Sequence, residues 1–150
     1  MTNFTSIYDI FLANVTDDMY MELTQQDTEN LLQELLISAI PWFEFPRQSL
    51  TYNISTTSFE SDLTLEEQNI LATYMIMLWI QQQLASVENT RMKYSGSDFK
   101  FTSQANHMAK LQAMEKEYER KGFHLQRLYK RRLVDDNGVT RSSFSTIMSD

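Results

Sequence analysis

The chain has no cysteine, which excludes a disulfide framework, a thiolate metal site and a thiol nucleophile, and fits a reducing compartment. Three glycines and two prolines in 150 residues are too few for the many tight turns of a sandwich or barrel. The glycines, Gly96, Gly122 and Gly138, lie far apart, so no phosphate-cradling loop can be read. Only two histidines occur. His107 and His124 stand about 25 Å apart on one predicted helix, at 1.5 Å per residue, and cannot share a metal within one chain. No serine sits in a G-x-S-x-G pattern. The most apolar run, Leu71 to Ile80, is about half the length that a bilayer requires. The opening residues, MTNFTSIYDIF, lack the basic stretch and long apolar run of a signal peptide, so a soluble protein is expected.

What is plentiful is Met, Leu, Gln and Glu, residues that suit helices, in a chain about one domain long. An all-α fold is predicted. Phe4, Ile7, Tyr8, Phe11, Leu12 and Val15 recur at steps of three and four, the mark of a short amphipathic helix, and Thr16-Asp17-Asp18 can cap a further turn. Leu31, Leu32, Leu35, Leu36, Ala39 and Ile40 define a second helix that ends before Pro41. Residues 41–62, beginning PWFEFP, are too punctuated for a helix. With Leu50, Tyr52 and Ile54 alternating, they read as an ordered connection with one edge strand.

Thr64-Leu65-Glu66-Glu67 has the spacing of a capping box and should open a long helix over about 64–94, stopped by Ser95-Gly96-Ser97-Asp98. Between Leu71 and Ile80 only Thr73 is not apolar, so this helix must be covered on several sides. Thr102 or Ser103 can cap a last helix over about 103–132, where Leu111, Met114, Tyr118, Leu125 and Leu128 form a narrow stripe with Lys121 as its one charged interruption. That stripe suits an antiparallel partner, most simply the preceding long helix. Residues 1–132 then form one helical domain and 133–150 a tail, with a turn at Asp136-Asn137-Gly138 and two apolar anchors, Phe144 and Ile147. Met75 and Met77 are expected to fill the core, and Met108 is left open between core and docking surface.

Charge is unevenly placed. Residues 1–90 hold thirteen acids and one base, Arg47, for a net of -12; residues 91–150 hold seven acids and twelve bases, for +5. Such polarity can join copies of one protein, acidic half to basic half, or it can mark two solvated faces. Lys116, Arg120, Lys121, Arg127, Lys130, Arg131 and Arg132 are seven of the thirteen bases. Phosphate binding is one reading of them. Against it stand the interleaved Glu115, Glu117 and Glu119 and the low overall pI of about 4.8. Positive charge at a helix C-terminus, docked on an acidic protein, is the reading preferred here. Glu115 and Glu119 could in principle hold a divalent ion, but the neighbouring bases make an ion-paired surface the simpler account.

The stretches LTLEEQNILATYMIMLWIQQQL, RMKYSGSDFKFTSQANHMAKL and HLQRLYKRR resemble structural proteins from the head-to-tail neck gene clusters of tailed bacteriophages that infect Gram-positive hosts. The resemblance covers roughly residues 61–132. The family member it suggests is the head-tail connector, or adaptor, a small helical protein that binds below the portal as a ring, commonly of twelve copies. It implies a long helix packed in a bundle, contact between ring neighbours, and a C-terminal segment that docks on the portal. Partner-binding residues are then expected at Lys130, Arg131, Arg132, Arg141, Phe144 and Ile147. A virion location at the neck is implied, with synthesis in the host cytoplasm. The partners implied are the portal and neighbouring neck or tail proteins, with no membrane, and with DNA passage at most non-specific.

No catalytic residue, cofactor or metal ligand is assigned, and an enzyme is not expected. The alternatives are a nucleic-acid-binding regulator using the helix over 116–132, or another neck or tail-completion protein. The latter are usually richer in β structure, so a sheet across residues 41–62 and 133–141 would reopen the case for them.

Overall fold

In the computed structural model, which describes residues 1–15, 25–93, 101–134 and 140–142, Thr64 opens the helix around which the other elements pack. The helices are α1 (Phe4–Asn14), α2 (Gln25–Ala39), α3 (Leu65–Lys93) and α4 (Phe101–Arg131), and the predicted all-α bundle is what forms. The Glu67 N–H donates to Thr64 Oγ1 at 3.3 Å, as a capping box requires. The Glu67 carboxylate departs from that pattern, because it accepts the Thr64 hydroxyl at 3.0 Å and its second oxygen is buried without a hydrogen-bond partner.

From Ile70 to Ile80 every side chain of α3 is buried except Leu78, which is half-buried. The coverage that the apolar run demands comes from three directions, since α1, α2 and α4 all pack on α3. From α1 come Phe4, Ile7, Tyr8 and Phe11, the last edge-on to Trp79 at 6.4 Å; from α2 come Leu32, Leu35, Leu36 and Ala39. Met75 and Met77 fill the core, and Met108 is half-buried against it. Pro41 ends α2 at Ala39 and turns the chain into a short 3-10 helix, Ile40–Trp42.

α3 and α4 form the expected antiparallel hairpin. Gln81 donates to Glu115 at 3.0 Å near one end and Gln126 to the Tyr74 hydroxyl near the other, so partners rise along one helix as they fall along the other. Two details differ from expectation. α4 begins at Phe101, which places Thr102 and Ser103 inside the first turn and not before it. The contact stripe begins at Leu111, Met114 and Tyr118 but then passes through Gly122, Leu125, Gln126 and Tyr129, while Lys121 stays exposed at its edge, beside the Tyr118 ring. A straight helix with 3.6 residues per turn drifts by about 20° per seven residues from a 3.5-residue seam, so between Leu111 and Tyr129 the seam moves by about half a position, enough to favour Gly122 and Tyr129 over Lys121 and Leu128.

The connection over 41–62 holds two strands. β2 (Tyr52–Asn53) is the expected edge strand. β3 (Ser58–Phe59) is the centre of a three-stranded sheet, because β1 (Thr2–Asn3) pairs along its other side, in the order β1-β3-β2. Ile54 is exposed and breaks the alternation because it lies in the turn, where the Ser55 N–H donates to Asn53 Oδ1 at 2.8 Å and Thr57 takes a positive φ of 47°. The Thr57 carbonyl accepts the Phe4 N–H at 2.9 Å and so starts α1. β4 (Arg132–Val134) and β5 (Thr140–Ser142) pair as a separate antiparallel hairpin around the predicted turn, whose own residues lie outside the described set. Among the described residues the two sheets are not joined. Thr16-Asp17-Asp18 and Ser95 to Asp98 also lie outside it. Among the described residues no helix is long and apolar enough to cross a membrane.

Candidate functional site at the end of helix α4

The C-terminal turns of α4 are held by the loop that follows α2. Gln126, 4 % exposed, projects from α4 into that loop. Its Oε1 accepts the Glu44 N–H at 3.0 Å, and its Nε2 donates to the Trp42 carbonyl at 2.9 Å and to the Tyr74 hydroxyl. Tyr74 in turn stacks on Trp42 at 5.7 Å, so one amide ties α3, α4 and the loop together. The helices approach closely here because residue 122 has no side chain. A Cβ at Gly122 would stand 2.6 Å from Tyr74 Cζ and 2.9 Å from its hydroxyl.

One turn further on, Tyr129 is buried with its ring edge-on to Phe43 at 5.3 Å. The Arg47 N–H donates to the Tyr129 hydroxyl at 2.7 Å, and the Arg47 guanidinium lies over the Tyr129 ring at 4.0 Å while donating to the carbonyls of Tyr129 and Arg132. The single base of residues 1–90 thus sits at the carbonyl end of α4, where a cation meets both unpaired acceptors and the negative end of the helix dipole.

The residues expected to bind a partner divide into four groups. Lys130 is 3.6 Å from Glu44 and lies over the Phe45 ring at 4.0 Å, and Arg132 is 3.3 Å from Glu66. Both are therefore engaged within the chain, basic half to acidic half. Arg131 is exposed and forms no ion pair with a described residue. Arg141 is placed in β5, opposite Leu133. Phe144 and Ile147 lie outside the described residues. The sequence reading did not single out Glu44, Glu66, Gln126 or Tyr129. Arg47 carried a signal, as the one base in an acidic half beside an aromatic, proline-bounded loop; Gln126 and Tyr129 carried none, since their burial follows from the drift of the seam.

Burial pushes the Tyr129 phenol above its ordinary value, opposed by the hydrogen bond and the charge of Arg47. Burial likewise raises Tyr74, opposed by the hydrogen bond from Gln126. Tyr8 in α1 is pushed up to about 12, by burial first and by Glu29 second. An unfolded phenol ionises near 10, so the stability these residues carry is whole below about pH 10 and is lost as pH rises through their raised folded values, about 12 for Tyr8. The urea midpoint is expected to hold steady from pH 7 to about 9.5 and then to fall, with Tyr8→Phe making the fall shallower. Phenolate absorbance appearing in full at pH 10 from a still-folded chain would contradict this.

Away from this end, a groove of about 310 Å³ runs between α1 and α4 over α3. Val15, Ile76, Trp79, Leu111 and Met114 give it an apolar floor, Asn14, His107, Lys110 and Tyr118 supply its polar atoms, and no described carboxylate lines it. His124 lies elsewhere on α4, as the helix spacing requires. Among the described residues no three His, Cys, Asp or Glu side chains gather as a metal site. Comparison of the chain with protein-family models, curated proteins and solved structures finds no match in any of the three.

Proposed function

We propose that the chain is a structural protein of a bacteriophage neck, an adaptor that joins the portal to the tail as one copy in a ring around the DNA passage. The observation that carries this reading is where the elements fall. The stretch that resembles neck proteins, 61–132, coincides with the α3–α4 hairpin, and the segment expected to dock on the portal leaves that hairpin from its end, through β4 and β5. The remaining surface charge supports ring contacts between copies. The alternative, duplex DNA recognition by 116–132, is weakened because Glu44 and Glu66 engage Lys130 and Arg132, which leaves that helix fewer charges for phosphates.

The test is the native mass of the chain mixed with the portal protein encoded in the same genome, with and without residues 143–150. Ending the truncation after Ser142 keeps the β4–β5 pairing. A stoichiometric ring-on-ring complex is expected, lost on truncation. A chain that stays monomeric beside its portal would count against the adaptor reading.

A further inference from the structure

The outer face of α4 carries a second feature, which does not depend on the tail or on the neck reading. Lys116, Arg120, Phe123, Arg127 and Arg131 follow one another at steps of four, three, four and four. At 3.6 residues and 1.5 Å per residue they occupy about 80° of the helix circumference over about 22 Å of its length. All five are exposed, on the side opposite Leu111, Tyr118 and Tyr129. Glu115, Glu117 and Glu119 fall outside that arc by helix spacing. None of the four cations forms an ion pair with a described residue, in contrast to Lys130 and Arg132 on the same helix end.

The stripe has an aromatic border. Phe123 is 44 % exposed, and the loop that Gln126 and Lys130 hold beside it exposes Phe45 at 63 % and Trp42 at 36 %. Three exposed rings at one end of a chain that buries most of its large apolar side chains are a recognition feature, since rings in partial contact with water anchor partner segments at small entropic cost.

We infer that this face docks an acidic amphipathic helix of another protein. The pattern selects that occupant. The cations come as two pairs, each one helical turn apart, with a ring between the pairs. Acids at i and i+4, repeated on either side of a central apolar residue, complement it charge for charge and place the apolar residue on Phe123. A nucleic-acid strand carries charge at every nucleotide and would lay phosphate over the ring, with Glu117 and Glu119 along its edges.

The experiment uses the full chain and a fluorescein-labelled designed helix of about 18 residues, long enough to cover the stripe at 1.5 Å per residue, with two Glu pairs flanking a leucine. Polyglutamate of equal charge and an oligothymidine of similar length are the comparison probes. Anisotropy should show the helix binding more tightly than polyglutamate, with affinity falling as salt rises. Reversing two charges, Arg120→Glu with Arg127→Glu, should weaken binding by about tenfold or more, and Phe123→Ser by about threefold with the salt dependence unchanged. All three residues are exposed, so circular dichroism should match the parent. No binding of the helix, or binding equal to polyglutamate, or binding indifferent to the charge reversal, overturns the inference. Tighter binding of oligothymidine, abolished by the same reversal, overturns it in favour of single-stranded nucleic acid.

Discussion

Gly122→Ala is expected to lower the stability of the chain by about 1–3 kcal/mol, the usual cost of overpacking a fitted interior. The sign is the informative part. In the interior of an exposed helix the same change raises stability by roughly 1 kcal/mol, because alanine loses less backbone freedom than glycine on folding. Here the added methyl would enter the Tyr74 ring, with three ring and hydroxyl atoms within 3 Å of it. Tyr74 cannot swing aside without leaving both the Trp42 stack and the Gln126 hydrogen bond. The steric cost therefore exceeds the gain in propensity. Urea unfolding of Gly122→Ala, Tyr74→Leu and the double variant measures it, since the alanine should cost much less once the ring is gone. Gly122→Ala more stable than the parent would mean that α3 and α4 do not approach as described.

Gln126→Leu should cost about 2–4 kcal/mol, although leucine has nearly the same volume and suits a helix. The substitution leaves the Glu44 N–H, the Trp42 carbonyl and the Tyr74 hydroxyl without their partner. Tyr74 is wholly buried, while Trp42 and Glu44 border solvent, so water recovers part of the loss but not all of it. The effect should also be local. In a Trp79→Phe background only Trp42 reports, and its emission should shift to the red as the loop over 42–47 detaches from α4. Loss of stability without that shift would place the cost elsewhere in the interior.

These two residues mark the boundary of what the sequence made legible. Helix α3 could be read because its start has a hydroxyl and a glutamate at capping distance and its middle is apolar all round, both local signals. The stop at Ala39 followed from Pro41. The seam of α4 was readable in part: Leu125 packs against the core as its spacing suggests, but extending the stripe through Lys121 and Leu128 assumes a supercoiled 3.5-residue repeat, whereas the helix brings a glycine, a glutamine and a tyrosine to the interface. The partner of β3 was out of reach for a different reason. Thr2 pairs with Phe59 across fifty-seven positions, and two-residue strands leave no periodicity to detect. At the α4 end the basic cluster was visible, but not its division into Lys130 and Arg132, engaged by Glu44 and Glu66, and Arg131, which is not. That division is a matter of which loop lies beside the helix.

The clasp between the loop and α4 joins residues 82 to 85 positions apart, and this sets an order of events as the chain leaves the ribosome. Helices α1 and α2 and the strand pairs of β3 can be complete in the nascent chain well before α4 has been made. Trp42 and Phe43 cannot be, because Gln126 and Tyr129 are among the last-synthesised residues of the described core. The loop's aromatic side chains therefore wait for α4 before they can be covered, and Arg47 can reach the carbonyls of Tyr129 and Arg132 only once that helix has been made.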